Sequence, residues 1–169
     1  MAPPPSTVVS SFVSLVVRIL TFVCLIISLI LLTTATGTAS NDDYGEVKIK
    51  FKHFKAFRYL CAATVIGLLY TLLQTALTVF HVSTGNRFGG DGLVYIDFYG
   101  DKVVSFILAT GGAASFGMTQ DFKNLIDIEG LGISHFIRTT EAAASLCLLG
   151  FLFVAISSIF SSFALPKRA

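Results

Sequence analysis

The hydrophobic positions of this chain fall into four long runs, and most charged positions lie between the runs. A hydrocarbon core roughly 30 Å thick is crossed by about 20 apolar residues in a helix. The pattern predicts spans at about residues 8–34, 57–82, 97–119 and 140–165. We therefore predict an all-α membrane protein, a four-transmembrane-helix bundle in which residues 1–169 form a single four-span domain.

Two of the runs admit another interpretation. Small residues follow the first run, as they would follow a cleaved signal peptide. However, residues 1–17 contain no Lys or Arg, and the run is longer than the apolar core of a signal peptide. The third run is free of charge only over residues 103–120, which is short enough for a re-entrant segment. We predict a full span with Asp101 inside the membrane, because four crossings put both termini on one side.

The loop after the first run contains a stretch of strict alternation. Apolar residues at every second position alternate with a basic set, Lys48, Lys50 and Lys52. Alternation with a period of two is typical of a β-strand. We predict one short β-strand here, from Glu46 to Lys52, in a loop that is extracellular if the termini are cytosolic. Its basic side would contact anionic headgroups, a polyanion or only water.

Composition narrows the class of protein. The chain is 54% hydrophobic and 13% charged, whereas soluble domains carry about 25% charged residues. A net charge of +2 gives no reason to expect a nucleic-acid partner. The three histidines are scattered without metal-ligand spacing, and no nucleophile lies beside a general base in the sequence. We therefore expect no metal, no cofactor and no enzyme activity.

Arg18 is the most informative residue, because it lies inside the first span. An arginine near the middle of a membrane helix costs at least ~2.5 kcal/mol on insertion scales, so it needs a partner or a route to the headgroups. Steps of three and four residues place it on one helical face, which should point into the bundle. That face consists of Ser14, Arg18, Thr21, Leu25 and Ser28.

Asp101 is the acid best placed to pair with Arg18. The first and third spans run in the same direction, so residues near their starts lie in the same leaflet. A contact between guanidinium and carboxylate would lower the cost of burying both ions. Asp97 lies nearer to water, and Glu141 begins the fourth span at the opposite face. The alternative is that Arg18 extends to the headgroups and has no intramembrane acid.

Two further spans carry patterned residues that suggest contacts between helices. The second span has a polar face for which interhelical hydrogen bonding is favoured over a pore; it consists of Gly67, Tyr70, Gln74, Thr78 and His81. The third span is rich in small residues, which let helix backbones approach closely in lipid. These helix-packing or oligomerisation candidates are Ala109, Gly111, Gly112, Ala113, Ser115 and Gly117. Packing within one bundle and self-association both remain open.

Three features together resemble the plant CASP-like proteins, relatives of the Casparian strip membrane domain proteins and similar to MARVEL four-span proteins. They are Arg18 in the first span, the segment Phe54-Lys-Ala-Phe-Arg-Tyr-Leu-Cys-Ala-Ala, and the segment that begins Tyr99-Gly-Asp-Lys-Val-Val. The resemblance implies that Arg18 and Asp101 are the family's hallmark pair. It also implies a plasma-membrane protein with both termini cytosolic, whereas the positive-inside rule alone favours the opposite orientation.

The function expected from this resemblance is that of a non-enzymatic scaffold. Such a protein self-assembles in the plasma membrane and organises a membrane domain or the adjoining cell-wall modification. The second outer loop has no cysteine, unlike the Casparian strip proteins proper, so the resemblance implies a CASP-like relative. Expected partners are further copies of the chain, related four-span proteins and membrane lipids. The alternative function is a channel or small-solute transporter.

Overall fold

Four long α-helices account for most of the protein. A computed structural model describes residues 5–41, 45–50, 52, 54–84, 90–125 and 134–164. The helices are α1 (Pro5–Thr34), α2 (Lys55–Thr84), α3 (Gly90–Leu125) and α4 (Ser134–Ala164). Each contains a stretch long and apolar enough to cross a membrane: Val13–Thr34, Lys55–Phe80, Phe98–Asn124 and Ser134–Ile159. The predicted count of four spans is confirmed.

The third helix runs without a break through the region for which a re-entrant segment was the alternative. It has 36 residues, and its candidate span includes Asp101. A helix of 20 residues already covers about 30 Å, so α3 is long enough to cross the bilayer and continue beyond it. The full span is therefore the correct interpretation.

Each helix packs against its two neighbours around a ring. α1 contacts α2 and α4, and α3 also contacts α2 and α4. α1 and α3 are therefore diagonal to each other across the bundle. A polar contact between α1 and α3 has to form at the centre of the bundle or be bridged by side chains of α2 or α4.

The loop between α1 and α2 requires a correction of the predicted fold class. The bundle formed by the described helical residues contains no β-strand, but the loop contains two: β1 (Thr36–Asn41) and β2 (Gly45–Lys50). They pair antiparallel, with Thr36 opposite Lys50 and Asn41 opposite Gly45. The all-α four-helix bundle is as predicted, but the single short strand from Glu46 to Lys52 was wrong. The backbone N–H and C=O groups of one isolated strand would lack hydrogen-bond partners. The preceding segment, β1, supplies these partners, although its sequence shows no alternation of apolar and polar residues.

The inward face of α1 is the one that the spacing predicts. Thr21, Leu25 and Ser28 are buried, together with Arg18, and Leu32 extends the same face by one turn. Ser28 donates a hydrogen bond to the carbonyl of Ala143 on α4 at 2.7 Å. Many other large apolar side chains, among them Leu69, Val103 and Phe106, face outward, as expected of a surface in contact with lipid.

An aromatic cluster closes the bundle at the end where α2 begins. Phe57 and Phe136 are buried with their ring centroids 5.7 Å apart, and Phe54 lies 4.7 Å from Phe122. The rings meet edge to face, the arrangement that aromatic quadrupoles favour. The cluster joins the starts of α2 and α4 to the end of α3.

Candidate functional site: a polar network between the helices

Arg18 lies in the interior and contacts α2. Its side chain is 6% exposed. Nη1 donates hydrogen bonds to Oε1 of Gln74 at 2.9 Å and to Oγ1 of Thr78 at 3.1 Å. Gln74 and Thr78 are one helical turn apart, so both acceptors lie on the face of α2 that the sequence pattern predicts. Interhelical hydrogen bonding, the favoured role for that face, is confirmed.

Asp101 is joined to the same face of α2 through Tyr70. The Tyr70 hydroxyl donates a hydrogen bond to Oδ1 of Asp101 at 2.7 Å, the usual length for a bond between two oxygens. Nε2 of Gln74 in turn donates to the Tyr70 hydroxyl at 3.1 Å. Asp101 is 3% exposed. A continuous chain of hydrogen bonds therefore runs from the Arg18 guanidinium through Gln74 and Tyr70 to the Asp101 carboxylate.

This chain spans the diagonal of the bundle. Arg18 is on α1 and Asp101 on α3, while both intermediate groups are on α2, the helix between them. Arg18 and Asp101 lie near the starts of their candidate spans, toward the same membrane face. Charge-assisted hydrogen bonds in a low-dielectric interior are stronger than those in water, so the network stabilises both ions. Direct contact between the two ions stays a prediction.

Gly100 makes the approach of Tyr70 possible. A Cβ atom at this position would lie 2.6 Å from the Tyr70 hydroxyl oxygen and 2.8 Å from a ring carbon. Both distances are far shorter than any ordinary contact, so only glycine leaves room for the ring. The residue directly before Asp101 thus controls whether Tyr70 can reach the carboxylate.

We expect Gly100→Ala to push Tyr70 away and to weaken its bond to Asp101. Overpacking of this kind typically costs about 1–3 kcal/mol. Gly117→Ala on the same helix is the matched control, since a Cβ there meets nothing within 4 Å. Thermal unfolding in detergent should show a lower midpoint for Gly100→Ala and an unchanged or higher one for Gly117→Ala. Equal midpoints for the two variants would contradict this role for Gly100.

The small residues of α3 divide between two faces. Gly111, Gly112 and Ser115 are buried inside the bundle, whereas Ala113 and Gly117 are exposed. A Cβ on Gly111 would lie 2.9 Å from Cβ of Ala63 on α2. One on Gly112 would lie 2.7 Å from Cδ2 of Leu148 on α4. Ala109 is intermediate between the two sets. The buried glycines serve packing within one chain, and only the exposed residues are available to a neighbour.

The basic residues predicted on one strand are only partly described. The backbone of Lys48 and Lys50 belongs to β2, but their side chains lie outside the described residues. Lys52 is past the end of β2 and is exposed. The side chain of His81, the last member of the predicted polar face of α2, is also outside them. Within the described part of the chain, no group of three or more metal-ligating residues occurs.

Three contacts were not predicted from the sequence. They are the Tyr70 link with its requirement for Gly100, the aromatic cluster, and an ion pair between Lys123 and Glu141 that joins α3 to α4. The adjacency of Gly100 and Asp101 was the available signal for the first. The repeated phenylalanines at helix ends were the signal for the second, but phenylalanine is common at such ends and does not identify its partners.

The fold and the network define a multi-pass membrane protein: a four-helix bundle with an arginine and an aspartate held by polar side chains in its interior. The family model of the Casparian strip membrane protein domain matches residues 8–153. The chain belongs to this family, so the resemblance inferred from its residues is confirmed.

Individual relatives match over nearly the whole chain. CASP-like protein 4D1 of Ricinus communis is 50% identical over 169 residues, which cover 99% of each chain. CASP-like protein 4D1 of Populus trichocarpa is 49% identical, and the aligned region covers 95% of this chain and 90% of that relative. CASP-like protein 4D2 of Arabidopsis thaliana is 39% identical and covers 99% of both. No solved structure matches the chain at a significant level.

Proposed function

We propose that this protein is a non-enzymatic scaffold that self-assembles in the plasma membrane and organises a membrane domain or the adjoining cell-wall modification. Membership of the Casparian strip membrane protein domain family supports a structural role. Arg18, Gln74, Tyr70 and Asp101 are linked by hydrogen bonds deep in the bundle, which suits a role in holding the helices together. No contact among the described residues favours a channel or transporter, the alternative function.

The observation that carries the self-assembly is the exposed small-residue face of α3. Thr110, Ala113, Ala114 and Gly117 are all exposed and lie on one side of the helix at spacings of three and four. Most other exposed positions within the spans carry large apolar side chains. Lipid gives no hydrophobic drive for helix association, so close backbone approach at such a face favours contact with another helix.

The test is to enlarge this face without disturbing the bundle. We expect Ala113→Leu combined with Gly117→Leu to shift the purified protein to smaller species on size exclusion with light scattering. In plant cells the same variant should be more mobile after photobleaching. Ala76→Leu is the matched control, because Ala76 is an exposed alanine on α2 among large apolar neighbours. If wild type and the double variant have the same mass, the exposed face of α3 has no role in assembly.

Gly112→Leu is a different kind of variant and should be kept apart from this test. Its side chain would enter the space of Leu148 within the same chain. We therefore expect misfolding or a lower unfolding temperature from it, and any change in assembly would be secondary.

The same proposal places both termini in the cytosol and the loop between α1 and α2 outside. A protease-cleavable tag inserted at Asp43 should be cut on intact protoplasts, and a tag after Ala169 should be cut only after permeabilisation. Cleavage in the reverse order would favour the orientation that the positive-inside rule gives.

A further inference from the structure

A groove lies on the outer side of α2, apart from the contacts described above. It has a volume of about 690 Å³ and is lined by Lys52, Arg58, Cys61, Ala62, Val65 and Ile66. Small-molecule sites in proteins typically have volumes of ~300–1,000 Å³. Ala62 lies between larger side chains in this lining. The groove faces away from the bundle and is open to the surrounding lipid.

Charge and apolar surface are separated along the groove. Both cations are at one end, close to Lys55, where the candidate span of α2 begins. Val65 and Ile66 follow Arg58 by about two helical turns, or ~10–12 Å along the axis. The cationic end therefore lies at the level of the headgroups, and the apolar end lies within the hydrocarbon of the same leaflet.

The cations of this groove form no salt bridge with an acidic side chain in the described part of the chain. The ion pair found there joins Lys123 to Glu141, and neither Lys52 nor Arg58 takes part in one. The first turn of α2 also has no acidic residue, so the partial positive charge of the helix N-terminus adds to that of the side chains. The cationic end is thus suited to an anion.

We propose that this groove binds an anionic phospholipid, with its phosphate at Lys52 and Arg58 and one acyl chain along Ala62, Val65 and Ile66. A phospholipid has its charge and its hydrocarbon in the same order and direction as the groove. Each cation near an anionic headgroup contributes about a fivefold gain in affinity. The site is on the side of α2 that faces away from the bundle, so a lipid bound there would not disturb the packing of the inner side.

The experiment uses the full-length protein in neutral detergent and counts bound lipid by native mass spectrometry. Phosphatidylglycerol and phosphatidylcholine with identical acyl chains are the two probes. Wild type should retain phosphatidylglycerol in preference. Lys52→Gln with Arg58→Gln should lower phosphatidylglycerol affinity by at least tenfold and leave phosphatidylcholine binding unchanged. Arg138→Gln is the charge control, because Arg138 is exposed near the start of α4, at the same membrane face, and does not line the groove.

The apolar end is tested separately. Ala62→Leu fills the groove and should weaken the binding of both lipids, whereas Ala142→Leu, at an exposed alanine near the start of α4, should not. The proposal is overturned if Arg138→Gln is as damaging as the double variant, since general surface charge would then explain the preference. It is also overturned if Ala62→Leu leaves lipid binding intact, or if it changes only the association of protein copies.

Discussion

Replacing Arg18 by leucine should destabilise the bundle by about 3–5 kcal/mol, the typical cost of leaving one member of a buried charged pair without the other. Asp101→Leu should cost a similar amount. The double leucine variant removes both buried charges and should recover much of the loss. A double-mutant cycle on thermal stability in detergent gives the coupling energy between the two positions. If the arginine only extends to the headgroups, Asp101→Leu is mild and the two effects add.

A substitution at Tyr70 tests whether the hydrogen-bond network carries the coupling between Arg18 and Asp101. Tyr70→Phe keeps the ring and removes the hydroxyl that joins Gln74 to Asp101. If the network carries the coupling, the Arg18–Asp101 coupling energy should fall markedly in the Tyr70→Phe background. If the two ions act through direct contact alone, the coupling energy should be the same with tyrosine and with phenylalanine. Tyr59→Phe is the control, because Tyr59 bonds to Thr110 at the outer surface and is not part of the network.

Phe57→Ala should be the most damaging single truncation in the aromatic cluster. Phenylalanine-to-alanine changes in soluble cores cost about 3–5 kcal/mol. We expect a cost at the lower end, about 3 kcal/mol, for this membrane protein. The variant loses the packing and the edge-to-face contacts of the ring, but burial of a ring from lipid contributes less than burial from water. Phe57 is fully buried, at 0% exposure.

Phe106→Ala is the matched control, since Phe106 is 71% exposed on the lipid-facing side of α3. The chain has no tryptophan, so unfolding is best followed by a thiol-reactive dye that reaches the buried Cys147 as the bundle opens. Phe57→Ala should lower the unfolding temperature clearly and Phe106→Ala only slightly. A similar decrease for both would show that the cluster contributes no more than a lipid-exposed ring.

The helices were predictable because charge and hydrophobicity change sharply at their ends. The inward face of α1 was equally accessible, since Arg18 and Ser28 recur with Leu25 at helical spacing and polar side chains avoid lipid. The polar face of α2 followed from the same argument. In each case one physical preference, the high cost of a polar group in hydrocarbon, determines which side of the helix is buried.

The orientation of α3 could not be predicted by that preference. Small residues occur on several sides of this helix, so their spacing fits both the buried pair Gly111 and Gly112 and the exposed pair Ala113 and Gly117. Neighbouring side chains such as Leu148 decide which pair lies inside, and those contacts join residues distant in sequence. The strand β1 was missed for a related reason: its pairing with β2 supplies the order that its own sequence does not show.

The hydrogen bonds of Arg18 bear on the order in which the protein is made. α1 is synthesised and inserted first, and it carries the side chain that is most costly to place in lipid. The acceptors Gln74 and Thr78 come 56 and 60 residues later, on α2, and Asp101 comes only with α3. A hairpin of α1 and α2 can therefore already bond the guanidinium while α3 is still unmade. During biogenesis the negative charge arrives last, at a site that neutral side chains have already assembled.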